Sequence, residues 1–405
     1  MITTEPYRFT GAGGMTLDGR LEKPRYGTPR AVAIFAHCFT CGKDSRAATF
    51  ITRALAAQGI MVLRFDFVGL GGSAGDLSGF ASQVADLEAA ANALEADGHA
   101  PSLLIGHSLG GAAVIAAAGQ CETVRAVATI GAPSDTDHVL THLGDSIEEI
   151  EVEGEAVVKL AGRDFCIKKD FIEDTRGQRQ EDAIRNLGKP LLILHSPTDE
   201  IVSVEHARTI YETARHPKSF IALDGASHLL TDDENAHYAA DLIAAWGSRY
   251  AEGDRVEEEE RPLEGVVRVT TAGGKFAQHV MTGTHDFIAD EPKSYGGEDD
   301  GPTPYDLLLA SLGTCTSMTM KMYADRKGMK LDKVRIELEH SRDHAKDCAD
   351  CDFENGKQIQ AIDRAIELEG ELSDEERAKL LEIADKCPVH RTLESELHIH
   401  TTEVK

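Results

Sequence analysis

Residues 102–119 read SLLIGHSLGGAAVIAAAG, and this stretch decides the fold of the first half of the chain. SLLI is too short for a helix and suits a strand buried on both faces. GAAVIAAAG forms a helix. Between them Gly106-His107-Ser108-Leu109-Gly110 spells G-x-S-x-G. Five residues of that pattern carry little by themselves. Placed at a strand-to-helix turn they make a nucleophile elbow: small residues keep the turn tight, and the serine hydroxyl stands above the sheet beside a helix N-terminus. The competing reading is a Gly-rich turn with an idle serine.

Outward from the elbow, AVAIFAH (31–37), IMVLRFDF (60–67), VRAVATIGAP (124–133), PLLILHSP (190–197) and KSFIALDG (218–225) read as further buried strands. Helical patterns separate them at 44–58, 80–97, 109–119, 204–215 and 235–250. Apolar strands alternating with helices define an α/β fold, a mostly parallel sheet with helices on both faces. Residues 1–250 are read as that domain. Residues 134–188, with a hairpin in GEAVVKLAGRDFCIKKDFI, are read as an insertion over the end of the sheet.

A serine hydroxyl needs a base within hydrogen-bond reach and an acid to orient that base. Asp199 lies in SPTDEIV and His228 in GASHLL, each just past the C-terminal end of a strand, the end where Ser108 also sits. Asp199 could instead cap the next helix and His228 could be a surface histidine; Asp224 is a poorer acid because it lies at the end of its strand. His37-Cys38-Phe39-Thr40 follows the first strong strand. The backbone N–H groups of Phe39 and Leu109 are the candidate oxyanion donors. On HCFT, RFDFVGLGGS, GHSLGG, SPTDEIV and GASH, residues 15–250 resemble the α/β-hydrolase superfamily, near the small esterases and dienelactone-hydrolase-like members. The resemblance implies a Ser108/His228/Asp199 triad acting on an ester, thioester or amide. Cys38 departs from it, since many relatives have glycine there. Cys38 and Cys41 also spell C-x-x-C; they are read as small residues lining the oxyanion loop, with a redox or metal role as the alternative. RFDFVGLGGS lacks the lysine of a nucleotide loop.

At 251–262, AEGDRVEEEERP has no apolar periodicity and reads as an acidic linker. Residues 263–405 then follow an α+β pattern. Strands are expected in VVRVTT, KFAQHVMTGTHDFIAD, KVRIELEHSRD, QIQAIDRAIELEGEL and ELHIHTTEV. A long helix at 303–328 is opened by Thr303 and Pro304, and a second at 374–386 by Ser373 with Asp-Glu-Glu in its first turn. Cys315 falls within the long helix and Cys387 precedes Pro388. A single cysteine is by default a small apolar residue. GPTPYDLLLASLGTCTSMT and ADKCPVHRTL, however, resemble the OsmC/Ohr family of thiol peroxidases over about 265–405. That resemblance implies an OsmC-like domain, an intertwined homodimer, a peroxidatic Cys315 and a resolving Cys387. In efficient members an arginine from the N-terminal strands and a glutamate on the long helix serve the reactive thiol. Here Arg268, Lys275 and Arg391 are the available cations, and Asp306 stands near the glutamate position, where it could equally be part of a capping box. His340, His344, Cys348 and Cys351 form H-x3-H-x3-C-x2-C, which suits zinc, a redox disulfide or a plain solvated loop.

Among 405 residues the formal net charge is −27, and both halves are acidic. This speaks against nucleic acid and anionic membrane as partners. No run of about 18 apolar residues suggests a membrane span, and MITTEPYRFT has neither a basic nor an apolar leader segment. Eight cysteines in this length do not make a secreted disulfide scaffold, so a reducing cytoplasm is expected. The sequence therefore reads as a serine carboxylester hydrolase fused to a dimerising OsmC-like thiol domain, which is either a reductase of organic hydroperoxides or a non-catalytic dimerising platform. Its partners would be a small acyl ester, a hydroperoxide, a dithiol reductant and a second copy of itself, and no cofactor or metal is assigned. The alternative makes thiol-dependent hydroperoxide reduction the main activity and the hydrolase domain accessory.

Overall fold

Apolar runs of five or six residues become central strands because both their faces find helices to bury against. In β5 (Leu103–His107), Leu104 packs into one core while Leu103 and Ile105 pack into the other. Each such side chain contributes roughly 1.5–3 kcal/mol by leaving water. The computed structural model describes residues 2–39, 41–77, 79–144, 146–160, 163–176, 178–252, 261–344 and 358–403. The chain divides into two units, Met1–Glu260 and Arg261–Lys405.

In chain order the first unit contains β1 (Ile2–Thr10), β2 (Thr16–Pro24), β3 (Ala31–Ala36), α1 (Arg46–Ala57), β4 (Ile60–Phe65), α2 (Phe80–Ala96), β5, α3 (Leu109–Ala118) and β6 (Ala126–Ile130). After these come α4 (Ser146–Glu153), β7 (Glu155–Leu160), β8 (Arg163–Lys168), α5 (Lys169–Arg176) and α6 (Gln180–Arg185). β9 (Leu191–His195), α7 (Val204–Thr213), β10 (Lys218–Ala222) and α8 (Asp233–Tyr250) complete it. Eight strands form one sheet in the order β1-β2-β4-β3-β5-β6-β9-β10. β3 to β6, β9 and β10 run parallel, whereas β1 and β2 pair antiparallel at one edge. That edge hairpin is absent from the sequence reading. β1 is mostly polar and contains Pro6, a composition tolerated only where one side of a strand stays unpaired; Phe9 is its buried residue. The 134–188 insertion holds the expected hairpin, β7 with β8, together with α4, α5 and α6.

The second unit contains β11 (Arg268–Gly273), β12 (Ala277–Met281), β13 (Asp286–Ala289), α9 (Pro304–Lys327), β14 (Lys330–His344), β15 (Gln358–Glu371), α10 (Asp374–Ala384) and α11 (Pro388–Glu394). β11, β12 and β13 form one antiparallel sheet and β14 with β15 another. Met320 and Ala324 of α9, Leu331, and Leu380 and Ala384 of α10 make its core. Both helices open on capping boxes, Thr303 with Asp306 and Ser373 with Glu376.

One expected strand is corrected. ELHIHTTEV is not a strand over its described residues, 396–403. Leu397 and Ile399 alternate with polar residues as in a strand, but a strand also needs an edge to bond, and here the two side chains are 61% and 83% exposed. Among the described residues no helix is long and apolar enough to cross a membrane.

Candidate active site

The turn from β5 to α3 forces Ser108 into φ 55°, ψ −127°, a region costly for a residue with a Cβ. Its N–H donates to the Ile130 carbonyl at 2.8 Å, and its own carbonyl accepts from Gly111 N. The glycines around it are required by close approach. A Cβ on Gly106 would lie 2.2 Å from the Gly110 carbonyl oxygen, and one on Gly110 would lie 2.5 Å from that of Ala36. The serine is thus pressed up from the sheet at the junction of β3, β5 and β6.

His228 Nε2 lies 3.0 Å from Ser108 Oγ, and His228 Nδ1 lies 2.8 Å from Asp199 Oδ2. The carboxylate can only accept, so Nδ1 carries the proton and Nε2 presents its lone pair to the serine hydroxyl. Asp199 Oδ1 accepts the N–H groups of Ile201 and Val202, each at 2.9 Å. Burial by itself would raise the Asp199 carboxyl; the bond from His228 and those two N–H groups outweigh it and hold the group below its ordinary value. Asp199 does not cap α7, since Ser203 fills that role. Asp224 is exposed.

Three supports were not legible in the sequence. His107, buried beside Ser108, donates through Nε2 to the His228 carbonyl at 2.7 Å. Burial, then the neighbouring His228, pushes His107 down to about 4, so it stays neutral and keeps donating. His195 does the same for the Val202 carbonyl at 2.7 Å, fixing the loop that carries Asp199. Gly131, at φ 56°, lies beneath the pair: a Cβ there would come within 3.4 Å of both His228 and Asp199. The G in ATIGAP was the available signal.

The loop after β3 carries Phe39, 7% exposed, and α3 begins at Leu109, 3% exposed. The Leu109 N–H is one of the first-turn groups that a helix leaves without an internal acceptor. The Phe39 ring lies on Phe171 of α5, centroids 5.1 Å apart, so the insertion covers this loop. Behind it Asp66 accepts Lys43 N at 2.6 Å, Lys43 Nζ at 2.7 Å and Gly72 N at 2.9 Å. The Gly cluster of RFDFVGLGGS therefore wraps a buried carboxylate. Cys38 and Cys41, read from the sequence as two small lining residues, are joined in a disulfide.

In the second unit Cys315 is half-buried and Cys387 fully buried, and both are free thiols. Cys387 is the N-cap of α11, where its Sγ accepts His390 N at 3.3 Å. Thr316 Oγ1, on the residue after Cys315, is 3.5 Å from the same sulfur. Arg364 donates to Thr316 Oγ1 at 3.0 Å, to Asp385 at 2.6 Å and to the Ala384 carbonyl at 3.3 Å. Arg364, on β15, is a cation that the sequence reading passed over in favour of Arg268, Lys275 and Arg391. Lys275 lies over the Phe276 ring, and Arg391 is exposed within α11. Asp306 is engaged in its capping box, accepting Thr303 N at 2.9 Å. Cys348, Cys351 and the His344 side chain lie outside the described residues, as does most of the 251–262 linker. Among the described residues no group of three or more His, Cys, Asp or Glu gathers as a metal site.

A mostly parallel sheet crowned by a strained serine elbow is the α/β-hydrolase fold. Residues 27–147 match the family model described as serine aminopeptidase, S33, and residues 297–402 that of the OsmC-like proteins. The solved esterase domain of a Rhodothermus marinus protein is 46% identical over 62% of this chain and 99% of that one, with a TM-score of 0.52. An alpha/beta hydrolase, GrgF, from Penicillium sp. sh18 shares the fold at 18% identity, over 62% of this chain and 99% of that one, with a TM-score of 0.50. An uncharacterized protein of Haloferax volcanii is 29% identical over 109 residues, which is 26% of this chain and 74% of the relative. This chain belongs to the α/β hydrolases, as an esterase-like member that carries an OsmC-like domain.

Proposed function

We propose that this protein is a cytoplasmic serine carboxylester hydrolase acting through Ser108, His228 and Asp199. The observation that carries the reading is the unbroken chain from Ser108 Oγ through both ring nitrogens of His228 to Asp199. Ser108 Oγ attacks the ester carbonyl carbon as its proton passes to His228 Nε2. The resulting oxyanion is received by the N–H groups of Phe39 and Leu109. The imidazolium, stabilised by Asp199, then returns the proton to the leaving alkoxide, and water repeats the sequence on the acyl-serine.

Ser108→Ala tests this reading. Hydrolysis of p-nitrophenyl acetate should fall by about three to six orders of magnitude, and Asp199→Asn should lose up to roughly 10⁴-fold, with circular dichroism unchanged. Turnover of Ser108→Ala near the parent rate removes the assignment.

The contact of Cys387 with Thr316, and of Thr316 with Arg364, favours a second activity in the OsmC-like unit. The Cys315 thiolate attacks the outer oxygen of an organic hydroperoxide, and the O–O bond breaks. The alkoxide leaves as an alcohol after taking up a proton, and Cys315 becomes a sulfenic acid. The Cys387 thiolate then attacks that sulfur, water departs, and a disulfide remains for an external dithiol to reduce. Half-buried Cys315 is the thiol a peroxide can reach. After tert-butyl hydroperoxide, mass spectrometry should find a Cys315–Cys387 link, and Cys387→Ser should show over-oxidised Cys315 instead. Two reduced thiols and no peroxide consumed with a dithiol would leave the unit a structural one.

A further inference from the structure

Cys38 and Cys41 bracket Phe39, whose N–H is the candidate oxyanion donor, and their sulfur atoms are bonded across it with Cα atoms 5.3 Å apart. Hydrogen bonds and packing hold the described residues on either side of this link. On the near side the Cys38 carbonyl accepts His37 Nδ1 at 2.8 Å and Cys41 N at 3.1 Å. On the far side Lys43 is tied by N and Nζ to Asp66, and by Nζ to Asp18 at 2.8 Å. Beneath it Gly110 of the elbow packs without room for a Cβ against the Ala36 and His37 carbonyls. The Cys38–Cys41 bond is thus a covalent clamp across the donor peptide that a thiol can open and an oxidant can close. Cys38 is 4% exposed while Cys41 is partly exposed, so of the two cysteines Cys41 is the one open to an incoming thiolate.

We propose that Cys38–Cys41 is a thiol–disulfide switch that sets the oxyanion loop, closed and fast when oxidised, loosened and slow when reduced, with a small dithiol as its reductant. The inference rests on the hydrolase reading of Ser108. In a reducing compartment, disulfides that form are usually catalytic or redox-sensing. A dithiol thiolate attacks Cys41 Sγ, the S–S bond breaks, and Cys38 leaves as a thiolate that takes up a proton. The reagent's second thiolate then attacks its own sulfur of the mixed disulfide and releases Cys41 as a thiol. Two electrons pass from the dithiol, which becomes a disulfide. Freed of the clamp, the Phe39 peptide samples orientations that no longer aim its N–H at the oxyanion. Complete loss of such a donor costs about 10²–10³ in kcat; a loosened one should cost less, roughly 3- to 30-fold.

The test uses the full chain with Cys315→Ser and Cys387→Ser, which silences the other thiol pair. One sample is oxidised with diamide, which accepts the two electrons and two protons, and one is reduced with dithiothreitol. Alkylation and mass spectrometry score the Cys38–Cys41 link in each, and p-nitrophenyl acetate gives kcat and KM. The oxidised form should have the higher kcat by roughly 3- to 30-fold with KM little changed, and re-oxidation should restore it. Cys41→Ser should sit at the reduced rate and ignore both reagents. Equal kcat in linked and unlinked protein, absence of the link after diamide, or a redox response surviving in Cys41→Ser overturns the switch. An enzyme inactive towards esters in both states overturns the hydrolase reading beneath it, whereas ester turnover indifferent to redox state overturns the switch alone.

Discussion

Ser108, His228 and Asp199 show what a single residue carries and what it borrows. Each is placed by a neighbour that does no chemistry: Gly106 and Gly110 let the elbow close, and His107 and His195 hold the carbonyls of His228 and Val202. Asp86 is a buried acid of a different kind. It is fully enclosed on α2, with Oδ2 accepting Val68 N at 3.2 Å and Oδ1 lacking a hydrogen-bond partner. Burial pushes its carboxyl up to about 6, and the backbone N–H groups of Val68 and Ala12 only partly offset this. Because the folded value lies above the unfolded one, Asp86 favours the fold most at low pH. That contribution is lost as pH rises from about 4 through about 6. Asp86→Asn should therefore stabilise the first unit at pH 7–8 by about 1–3 kcal/mol, read from thermal unfolding, with the gain vanishing below about pH 4. A gain that is equal at all pH values would place the effect in packing instead.

At the scale of elements, α9 begins where a short motif told it to. Thr303 Oγ1 accepts Asp306 N at 3.1 Å, and Asp306 Oδ2 accepts Thr303 N. That reciprocal cap gives Asp306 a structural use that substitution can separate from any part in thiol chemistry. Thr303→Ala and Asp306→Ala should each cost about 1 kcal/mol of stability, measured by denaturant unfolding, and should leave the rate of Cys315 oxidation by hydroperoxide equal to one another's and to the parent's. A rate loss confined to Asp306→Ala would instead give the carboxylate a role at the thiol. Caps and apolar periods were legible because they are local: Ser373 with Glu376, the strand–elbow–helix of 102–119 and the hairpin at 155–168 are each decided by residues a few positions apart. The edge hairpin β1–β2 escaped notice because an edge strand answers to its pairing and not to its own hydrophobicity.

At the scale of the whole molecule, α9 buries Leu312, Thr316, Met320 and Ala324 at four-residue spacing. Its other side leaves Met318 and Met322 65% and 73% exposed. Leu397 and Ile399 are open as well. Exposed apolar side chains on a central helix call for cover, and a symmetric second copy is the commonest way to supply it. Light scattering of the full chain should give twice the 43.8 kDa of one chain. Met318→Lys with Met322→Lys should bring it to one chain's mass without changing ester turnover per subunit. A parent of one-chain mass would leave that face to another partner.

The sequence by itself determined the central alternation of buried strands and helices, the elbow at Ser108 and the helix caps, since these follow from periodicity and from contacts within a few residues. It also narrowed the acid and base to loops at one end of a sheet. Only the tertiary structure decided that His228 and Asp199 meet Ser108, 120 and 91 positions away in the chain. It alone brought Arg364 and Cys387 to Thr316, closed Cys38 on Cys41 across Phe39, and left residues 396–403 outside any strand. Those outcomes depend on crossovers, register and the availability of an edge. Each of these is fixed by packing between segments remote in sequence, which no local pattern of residues encodes.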